Sequence, residues 1–509
     1  MNRLAYQLLV DKKIKRQIEL LSILSSQKSP HTFEELSKKI DASERTIFND
    51  IHHLIEISPP EVTIKITPKI GITLLYNSSL ILSNFILKLA ENNPVFEILD
   101  NLFNGVVETI EDYSERFFIS ESTLRKKLLV LRKVLREYQL ELSFTPLALT
   151  GDEVNIRCFF FSYYRDSSNK SFMMPEQSQM DLHSSIINTF KKHESGSLYS
   201  DYRRAVHWLI IMEQRMYSGH FVKLSPELIE KQLKKDSYRR FKKIYVTELG
   251  NSLHLTHLSE DEIVFAFLVR LDTIVYRHID TKQFIMMHEE EIPEHVLSPF
   301  LEDFFYKFGL TPSVDSQLFG LSKAFLTNSF LLNQVSPLLQ KNSFELNHKI
   351  KNLHFSTYTK CLEILANSKL ENFLHIAFLE DFAVSLTLII SAYIHIKNLT
   401  QKKVLFSLSG ETTYLNYFIM ICNCFLPRNM DITFSFNEQI TADFLSSNNI
   451  DVWVHNYYIT EDFSDVVSYQ ISSFPTNSEW STLLSELIDI PSETLHNFFD
   501  SNTNLYFYS

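Results

Sequence analysis

The stretch Thr32–Glu56, TFEELSKKIDASERTIFNDIHHLIE, predicts two short helices separated by a tight turn. Thr32 and Ser43 stand where the two helices would begin, and their hydroxyls can cap the free N–H groups of a first turn. In the second helix, apolar residues recur at helical spacing and form a stripe that can be buried: Ile47, Ile51 and Leu54. The pattern is typical of a helix-turn-helix, whose second helix lies in the major groove of DNA.

The other side of this second helix is polar. The following side chains fall there or at its start: Ser43, Arg45, Thr46, Asn49, Asp50 and His53. All except the acidic Asp50 are expected to contact base edges or phosphates. Two amphipathic helices joined by a turn also occur in many helical proteins, so this stretch alone leaves ordinary helix packing open as the alternative.

The same pattern occurs again 77 residues further along the chain. SERTI at residues 43–47 recurs as SESTL at residues 120–124. The offset also pairs apolar positions of both helices: Leu36 with Tyr113, Ile40 with Phe117, Ile51 with Leu128, and Leu54 with Leu131. An internal repeat that preserves the buried positions favours two helix-turn-helix units over chance similarity.

The charge distribution agrees with DNA binding by this part of the chain. The formal net charge of −12 lies almost entirely outside it, because residues 1–166 hold 21 Lys/Arg and 22 Asp/Glu. Residues 117–136, around the second recognition helix, hold six basic residues and one acid, which favours phosphate binding. The side chains predicted to contact DNA there are Ser122, Thr123, Arg125, Lys126, Lys127 and Lys133.

Further elements complete the two units. A first helix is predicted over residues 4–26, and alternating residues at 62–66 and 71–75 predict a hairpin, which would make the first unit a winged helix with Lys65 near phosphate. The basic residues of the first helix are expected to face either solvent or phosphate: Lys12, Lys13, Lys15 and Arg16. The second unit is predicted to begin at Pro94 and to include a hairpin from residues 140–144 and 148–150, followed by a helix.

The rest of the chain is predicted to be helical to about residue 397 and then to change character. From Lys402 onward, strands and helices alternate, which predicts a small parallel α/β domain with strands near residues 403–408, 432–436 and 452–454. The four cysteines have no CxxC pair, which predicts a reducing cytoplasm and no metal site. No apolar run is long enough to span a membrane, and we expect a cytoplasmic protein without a cofactor.

This order of parts, with the paired Ser-Glu-x-Thr-apolar repeat, resembles the Mga/AtxA family of transcriptional regulators of Gram-positive bacteria, which includes virulence regulators. The resemblance implies a mainly α, multidomain fold. The domains are predicted as follows: a winged helix-turn-helix domain at 1–90, a second helix-turn-helix domain at 91–170, two helical domains similar to phosphotransferase-system regulation domains (PRDs) at 171–290 and 291–400, and an α/β domain similar to enzyme IIB at 401–509.

The family also implies regulation by phosphorylation of histidines in the PRD-like domains, with a phosphotransferase-system phosphocarrier protein as a possible partner. His207 is the first candidate, because Arg203 and Arg204 lie one turn earlier and could pair with a phosphoryl group. A packed core histidine is the alternative for His207. The candidates in the second helical domain are His375, His395 and His348.

The enzyme IIB resemblance implies a homodimer rather than catalysis. The position after the first strand of this domain, where a catalytic enzyme IIB has its cysteine, is Leu408-Ser409-Gly410, so a phosphoryl-carrying thiolate is missing and we expect no catalytic residue. Two other classes stay open: a phosphocarrier component of the phosphotransferase system, and an RNA-binding antiterminator. The leading prediction is a non-enzymatic regulator that binds double-stranded DNA.

Overall fold

The computed structural model of the protein divides into two units: Met1–Asn347 with Leu365–Phe382, and His348–Ile364 with Ala383–Ser509. The structure describes residues 3–26, 29–165, 201–252, 258–274, 294–311, 317–368, 374–399, 402–426, 430–436, 440–459 and 466–488, and five single positions, 181, 184, 185, 188 and 292. None of the helices in these ranges is long and apolar enough to cross a bilayer.

The first part of the larger unit is a winged helix. Its elements are α1 Arg3–Leu8, α2 Lys12–Ser26, α3 Phe33–Ile40, α4 Glu44–Ile57, β1 Val62–Thr67 and β2 Gly71–Tyr76. The single helix predicted over residues 4–26 is wrong, because the chain breaks between α1 and α2. Asp11 causes this break: its Oδ1 accepts hydrogen bonds from the backbone N–H groups of Lys13 (2.7 Å) and Ile14 (3.1 Å) and so begins a new helix.

Local sequence explains the helix-turn-helix geometry. Thr32 and Glu35 form a reciprocal capping box at the start of α3, and Ser43 accepts from the N–H of Thr46 at the start of α4. Asp41 ends α3 in the left-handed conformation, with φ of 54°, which turns the chain toward α4. The apolar stripe of α4 is fully buried against α2, α3 and the hairpin, as predicted.

The second helix-turn-helix follows directly in the chain. Its elements are α5 Ser79–Ala90, α6 Pro94–Phe103, α7 Ile110–Arg116, α8 Glu121–Arg136, β3 Glu141–Phe144, β4 Leu147–Thr150 and α9 Glu153–Arg165. Thr109 and Asp112 form a capping box, and Ser120 caps α8 as Ser43 caps α4. Hydrogen bonds from Thr109 lower the pKa of the Asp112 carboxyl below its usual range. The predicted hairpin is present, whereas α5 was not predicted.

Helix α9 anchors the second helix-turn-helix to the helices that follow. Arg157 on α9 is fully buried and donates to both carboxylate oxygens of Glu262, at 2.7 and 2.8 Å. Glu153 accepts from Arg157 and, at 2.8 Å, from the buried Arg215. The Glu262 carboxylate also accepts from the backbone N–H of Val222. Separating any two members of this network would leave a buried charge without a partner, which is unfavourable. The network therefore holds α9 against the helices that carry Arg215 and Glu262.

The described part of the middle region is helical, as predicted. Their bounds are Tyr202–Tyr217, Pro226–Leu233, Asp236–Ser252, Glu260–Val269, Glu294–Lys307, Gln317–Asn333, Phe344–Leu353, Phe355–Ala366 and Leu379–Leu399, with short 3₁₀ segments at Arg270–Thr273 and Pro337–Gln340. One large apolar core runs from α6–α9 through the helices up to residue 338.

The smaller unit contains a parallel sheet, as predicted. Its strands are β5 Lys403–Leu408, β6 Asp431–Phe436, β7 Val452–His455 and β8 Val467–Gln470, in the order β6-β5-β7-β8, and the helices between and after them are Thr412–Phe425, Ala442–Ser447 and Asn477–Ile488. All three strand pairs are parallel. The edge strand β8 was not predicted, because it is short, polar and largely exposed. Apolar clusters lie on both sides of the sheet.

Candidate nucleic-acid interface

The outward face of α4 differs from the predicted one. Arg45 and Asn49 are exposed, as expected for base-reading positions. Thr46 is half-buried, and its hydroxyl lies 2.8 Å from that of Ser43. The two hydroxyls therefore form a hydrogen bond with each other at the start of α4. The outward face also includes Phe48 and His52, whose rings are in contact with centroids 4.2 Å apart. Neither residue was predicted from the sequence, although both are at helical spacing from Arg45.

The prediction that Asp50 and His53 lie on the outward face is wrong. Asp50 is buried and forms an ion pair with Arg16 of α2. His53 is half-buried, and its Nδ1 lies 3.1 Å from Nε2 of Gln17, which also bonds Asp50. Asp50 and His53 therefore pack on α2, whereas Asn49 of the same predicted stripe faces outward. The expectation that Arg16 faces solvent or phosphate fails for the same reason.

The first wing presents basic residues to solvent. Lys65 is exposed on β1, opposite Thr73 of β2. Lys69 lies in the turn between the strands, in the left-handed conformation with φ of 66°. The hairpin is attached to the start of the helix-turn-helix by paired backbone hydrogen bonds between His31 and Ile72, which fix the wing relative to α3.

The exposed face of α8 is strongly basic. Its buried stripe is Leu124, Leu128, Leu131 and Leu135, which includes Leu128 and Leu131, positions that the 77-residue repeat pairs with buried residues of α4. On the outside, the predicted DNA contacts are exposed: Ser122, Thr123, Arg125, Lys126 and Lys133. Lys127 is half-buried. Apart from Glu121 in the first turn, this helix carries no acid, so it offers more phosphate affinity than α4.

The second wing orders part of this basic face. The guanidinium groups of Arg125 and Arg132 lie 5.4 and 5.8 Å from the centre of the Phe144 ring on β3. Cation–π contacts of this kind hold arginine side chains while leaving their N–H donors available. Arg125 also lies 3.5 Å from Glu121, an exposed pair of small energetic weight.

Phe118 is a further residue that sequence analysis missed. It lies in the turn between α7 and α8, has φ of 52°, and is 95% exposed. A left-handed conformation is uncommon for a bulky residue, and full exposure of a phenyl ring is unfavourable in water. The repeat offset pairs Phe118 with Asp41, which has the same conformation in the first unit. That offset was the signal that could have located it beside the recognition helix.

The candidate regulatory histidines lie in different surroundings. His207, on Tyr202–Tyr217, is 8% exposed and lies edge-on to Phe161. Arg204 forms a bidentate pair with Asp272 at 2.7 and 2.8 Å, whereas Arg203 is exposed. His375 and His348 are exposed, and His375 has φ of 48°. The side chain of His395 lies outside the described residues.

Within the described residues, no group of three His, Cys, Asp or Glu side chains is close enough to hold a metal ion. Burial raises the pKa of the Cys158 and Cys422 thiols above their usual range, and it raises the pKa of Cys361 to about 11. All three thiols are buried and protonated at neutral pH, so they are poor nucleophiles and poor metal ligands.

Comparison with known proteins agrees with this geometry. Residues 11–69 match the model of the M protein trans-acting positive regulator (MGA) HTH domain, and residues 78–164 match the Mga helix-turn-helix domain. The capsule synthesis positive regulators AcpB and AcpA of Bacillus anthracis are each 24% identical to this chain, over 275 and 270 residues. Both helix-turn-helix units of this chain therefore lie in regions that match Mga family models.

The matched regions are partial. They cover 54% of this chain and 57% of AcpB, and 52% of this chain and 55% of AcpA. A putative trans-acting regulator of Streptococcus pneumoniae serotype 4 is 25% identical over 229 residues, which are 44% of this chain and 45% of that protein. The chain thus spans about half the length of the curated relatives it matches. The second of the two family models ends at residue 164, within the last turn of α9.

Proposed function

We propose that this chain is a transcriptional regulator of the Mga/AtxA family that binds double-stranded DNA through both helix-turn-helix units. The observation that carries the proposal is the exposed basic face of α8, next to a wing, in a region that matches a helix-turn-helix family model. The exposed Arg45 and Asn49 on α4 support a second contact with base edges. Positive regulation of capsule synthesis is what the names of AcpA and AcpB state, and we propose virulence-associated genes as targets here.

The test is the salt dependence of DNA binding by the full chain. Lys126→Ala should weaken binding to any duplex. It should also reduce the magnitude of the slope of log affinity against log salt by about 0.9, because the variant makes one phosphate contact fewer and so releases fewer counterions on binding. Lys38→Ala is the matched control, since Lys38 is ion-paired with Glu34 at 2.6 Å on α3. An unchanged slope for Lys126→Ala would show that Lys126 does not contact phosphate and would contradict the placement of α8 in the DNA interface. Stronger binding to hairpin RNA than to duplex DNA would favour the antiterminator class instead.

We further propose that the unit with the parallel sheet supports homodimerisation and has no catalytic role. The loop that follows β5 contains Ser409 and Gly410 but no cysteine, which argues against a phosphocarrier. Helix Thr412–Phe425 exposes two large apolar side chains one turn apart, Tyr417 and Met420, which are 57% and 63% exposed. Exposed apolar side chains in a cluster are typical of interaction surfaces.

Regulation by histidine phosphorylation is the third part of the proposal, with a phosphotransferase-system phosphocarrier protein as the donor. A phosphoryl acceptor must be reachable by a second protein. The exposed His375 meets this requirement in the structure as described, whereas His207 would require its helix to open. Arg204 is already engaged by Asp272, so it is not available to a phosphoryl group on His207 without breaking that pair.

A further inference from the structure

A half-exposed phenylalanine lies on the outward face of α4. Phe48 is 47% exposed, and its neighbours on this face include the exposed polar side chains Asn49 and His52. The core of the first helix-turn-helix unit takes its share of α4 from the opposite side of the helix, through Ile47 and Ile51. Phe48 therefore presents an apolar surface to solvent in the second turn of α4, among side chains that can read base edges.

Two neighbouring rings hold the Phe48 ring in place. Its centroid lies 5.7 Å from that of Phe33, a half-buried residue at the start of α3 that packs against the core of the first helix-turn-helix unit. The centroid of the His52 ring, one turn further along α4, lies 4.2 Å from it. A side chain that is already held loses little conformational entropy on binding, so the Phe48 ring is preorganised for a contact.

The corresponding face of α8 has a different chemistry. The 77-residue repeat pairs Phe48 with Arg125 and Asn49 with Lys126, and all four side chains are exposed. At these two positions α8 is basic, whereas α4 is uncharged. Phosphate contacts require a hydrogen-bond donor or a positive charge, which a phenyl ring lacks. Phe48 is therefore suited to contact a base edge and not the phosphate backbone.

The major groove offers one apolar group to such a ring. Among the edges of the four bases there, only thymine carries a methyl group, at C5, and phenylalanine is one of the side chains that can contact it. The second helix of a helix-turn-helix lies in the major groove with its early residues at base edges, which is where Phe48 lies on α4.

We propose that Phe48 contacts the 5-methyl group of a thymine and so makes α4 selective for an A·T pair at one position of its site. This contact rests on the proposed function, because it requires that α4 enters the major groove. Asn49 fits the same preference, since an asparagine amide can bond both major-groove atoms of adenine. In this arrangement α4 selects the sequence, and the basic face of α8 supplies phosphate affinity.

Replacing thymine with deoxyuridine removes this methyl group and leaves the hydrogen bonds of the base pair in place, so it tests the contact directly. The full chain selects a duplex from random-sequence DNA, and each thymine of that duplex is then replaced in turn. For wild type, at least one replacement should weaken binding by about 3- to 5-fold, the effect expected for one methyl group that is buried on binding.

Variants assign this effect to the ring. Phe48→Ala should bind the thymine and deoxyuridine duplexes equally at that position, because the ring and the methyl group form one contact. Phe48→Leu retains an apolar side chain and should keep a reduced preference for thymine. Phe221→Ala is the matched control and should keep the full preference, because Phe221 is 46% exposed and lies outside both helix-turn-helix units. Thermal melting confirms that each variant is folded.

The outcomes separate this contact from the proposed function. A chain that binds every duplex equally would contradict both. A chain that prefers its selected duplex but shows no loss at any deoxyuridine would overturn the Phe48 contact alone. The contact is also overturned if Phe48→Ala keeps the thymine preference at every position or if Phe221→Ala loses it. If Phe48→Ala does not fold, Phe48→Leu decides, because an undiminished preference in that variant overturns the contact.

Discussion

Glu213, on helix Tyr202–Tyr217, has a carboxyl whose pKa burial raises to about 7 from an ordinary value of 4.5. The folded state therefore holds the proton more tightly than the unfolded chain does. As the pH rises from about 4.5 to about 7, this residue lowers the free energy of unfolding. Glu213→Gln is neutral throughout, so it should be more stable than wild type by about 1–3 kcal/mol at pH 8 and nearly equal to it at pH 4.5.

Urea denaturation of both proteins at the two pH values measures this difference. Glu227→Gln serves as the control, because Glu227 is exposed and its replacement should not produce a pH-dependent difference. A stability difference between Glu213→Gln and wild type that is the same at both pH values would show that the Glu213 carboxyl does not titrate in this range.

Replacing His207 or His375 with Asn should have opposite effects on stability and on phosphorylation. His207 is packed against Phe161, so His207→Asn should cost about 1–3 kcal/mol of stability. His375 is exposed and left-handed, a conformation that Asn accepts well, so His375→Asn should leave stability unchanged within about 0.5 kcal/mol. Under the proposed regulation, mass spectrometry without acid should find phosphohistidine in His207→Asn and lose it in His375→Asn. The reverse pattern would place the phosphoryl group on His207.

Helix α4 has two adjacent polar residues on different faces, which gives a test of the whole element. Asn49 is exposed, so Asn49→Ala should keep stability within about 0.5 kcal/mol and weaken specific DNA binding. Asp50 is buried against Arg16, so Asp50→Ala should cost about 2–4 kcal/mol, since it leaves the Arg16 guanidinium without its carboxylate partner and removes one of the two contacts of Gln17 Nε2. Thermal melting and DNA titration on both variants separate the two faces.

The DNA titration needs a duplex that wild type binds specifically, with a scrambled duplex as the reference. Asn49→Ala should reduce the difference in affinity between the specific and the scrambled duplex, because it removes a contact with base edges. The salt dependence of binding should stay the same, because Asn49 is uncharged. If Asp50→Ala melts like wild type, the Arg16–Asp50 pair does not stabilise the packing of α2 on α4. If Asn49→Ala retains full specificity, α4 does not read base edges through this residue.

Assembly is a property of the whole molecule, and the exposed pair Tyr417 and Met420 makes it testable without truncation. Replacing both residues with Glu adds two charges to an apolar surface, so it should shift a dimer toward monomer by at least 10-fold in dissociation constant. Light scattering at several concentrations measures this. Tyr458→Glu is the control, because Tyr458 is 81% exposed after β7. A double variant that stays dimeric would place the interface elsewhere.

The sequence by itself determined the local features of both helix-turn-helix units. The caps Thr32 and Ser43, the apolar stripe of α4 and the 77-residue repeat all predicted structure that is present. These features depend on contacts between residues three or four apart and on helical periodicity, which one sequence displays directly. The parallel sheet was predicted for a similar reason, since its central strands are continuous apolar runs.

Only the tertiary structure decided which polar residues face outward and which pair inside. The sequence pattern placed Asp50 and His53 on the outward face, and His53 among the DNA contacts. Their partners on α2, more than thirty residues away in the chain, place both residues inside. The Arg157–Glu262 pair joins residues 105 apart. A charged residue has the same sequence pattern whether it faces water or a buried partner. The physical difference is desolvation and pairing across the fold, which helical spacing does not encode.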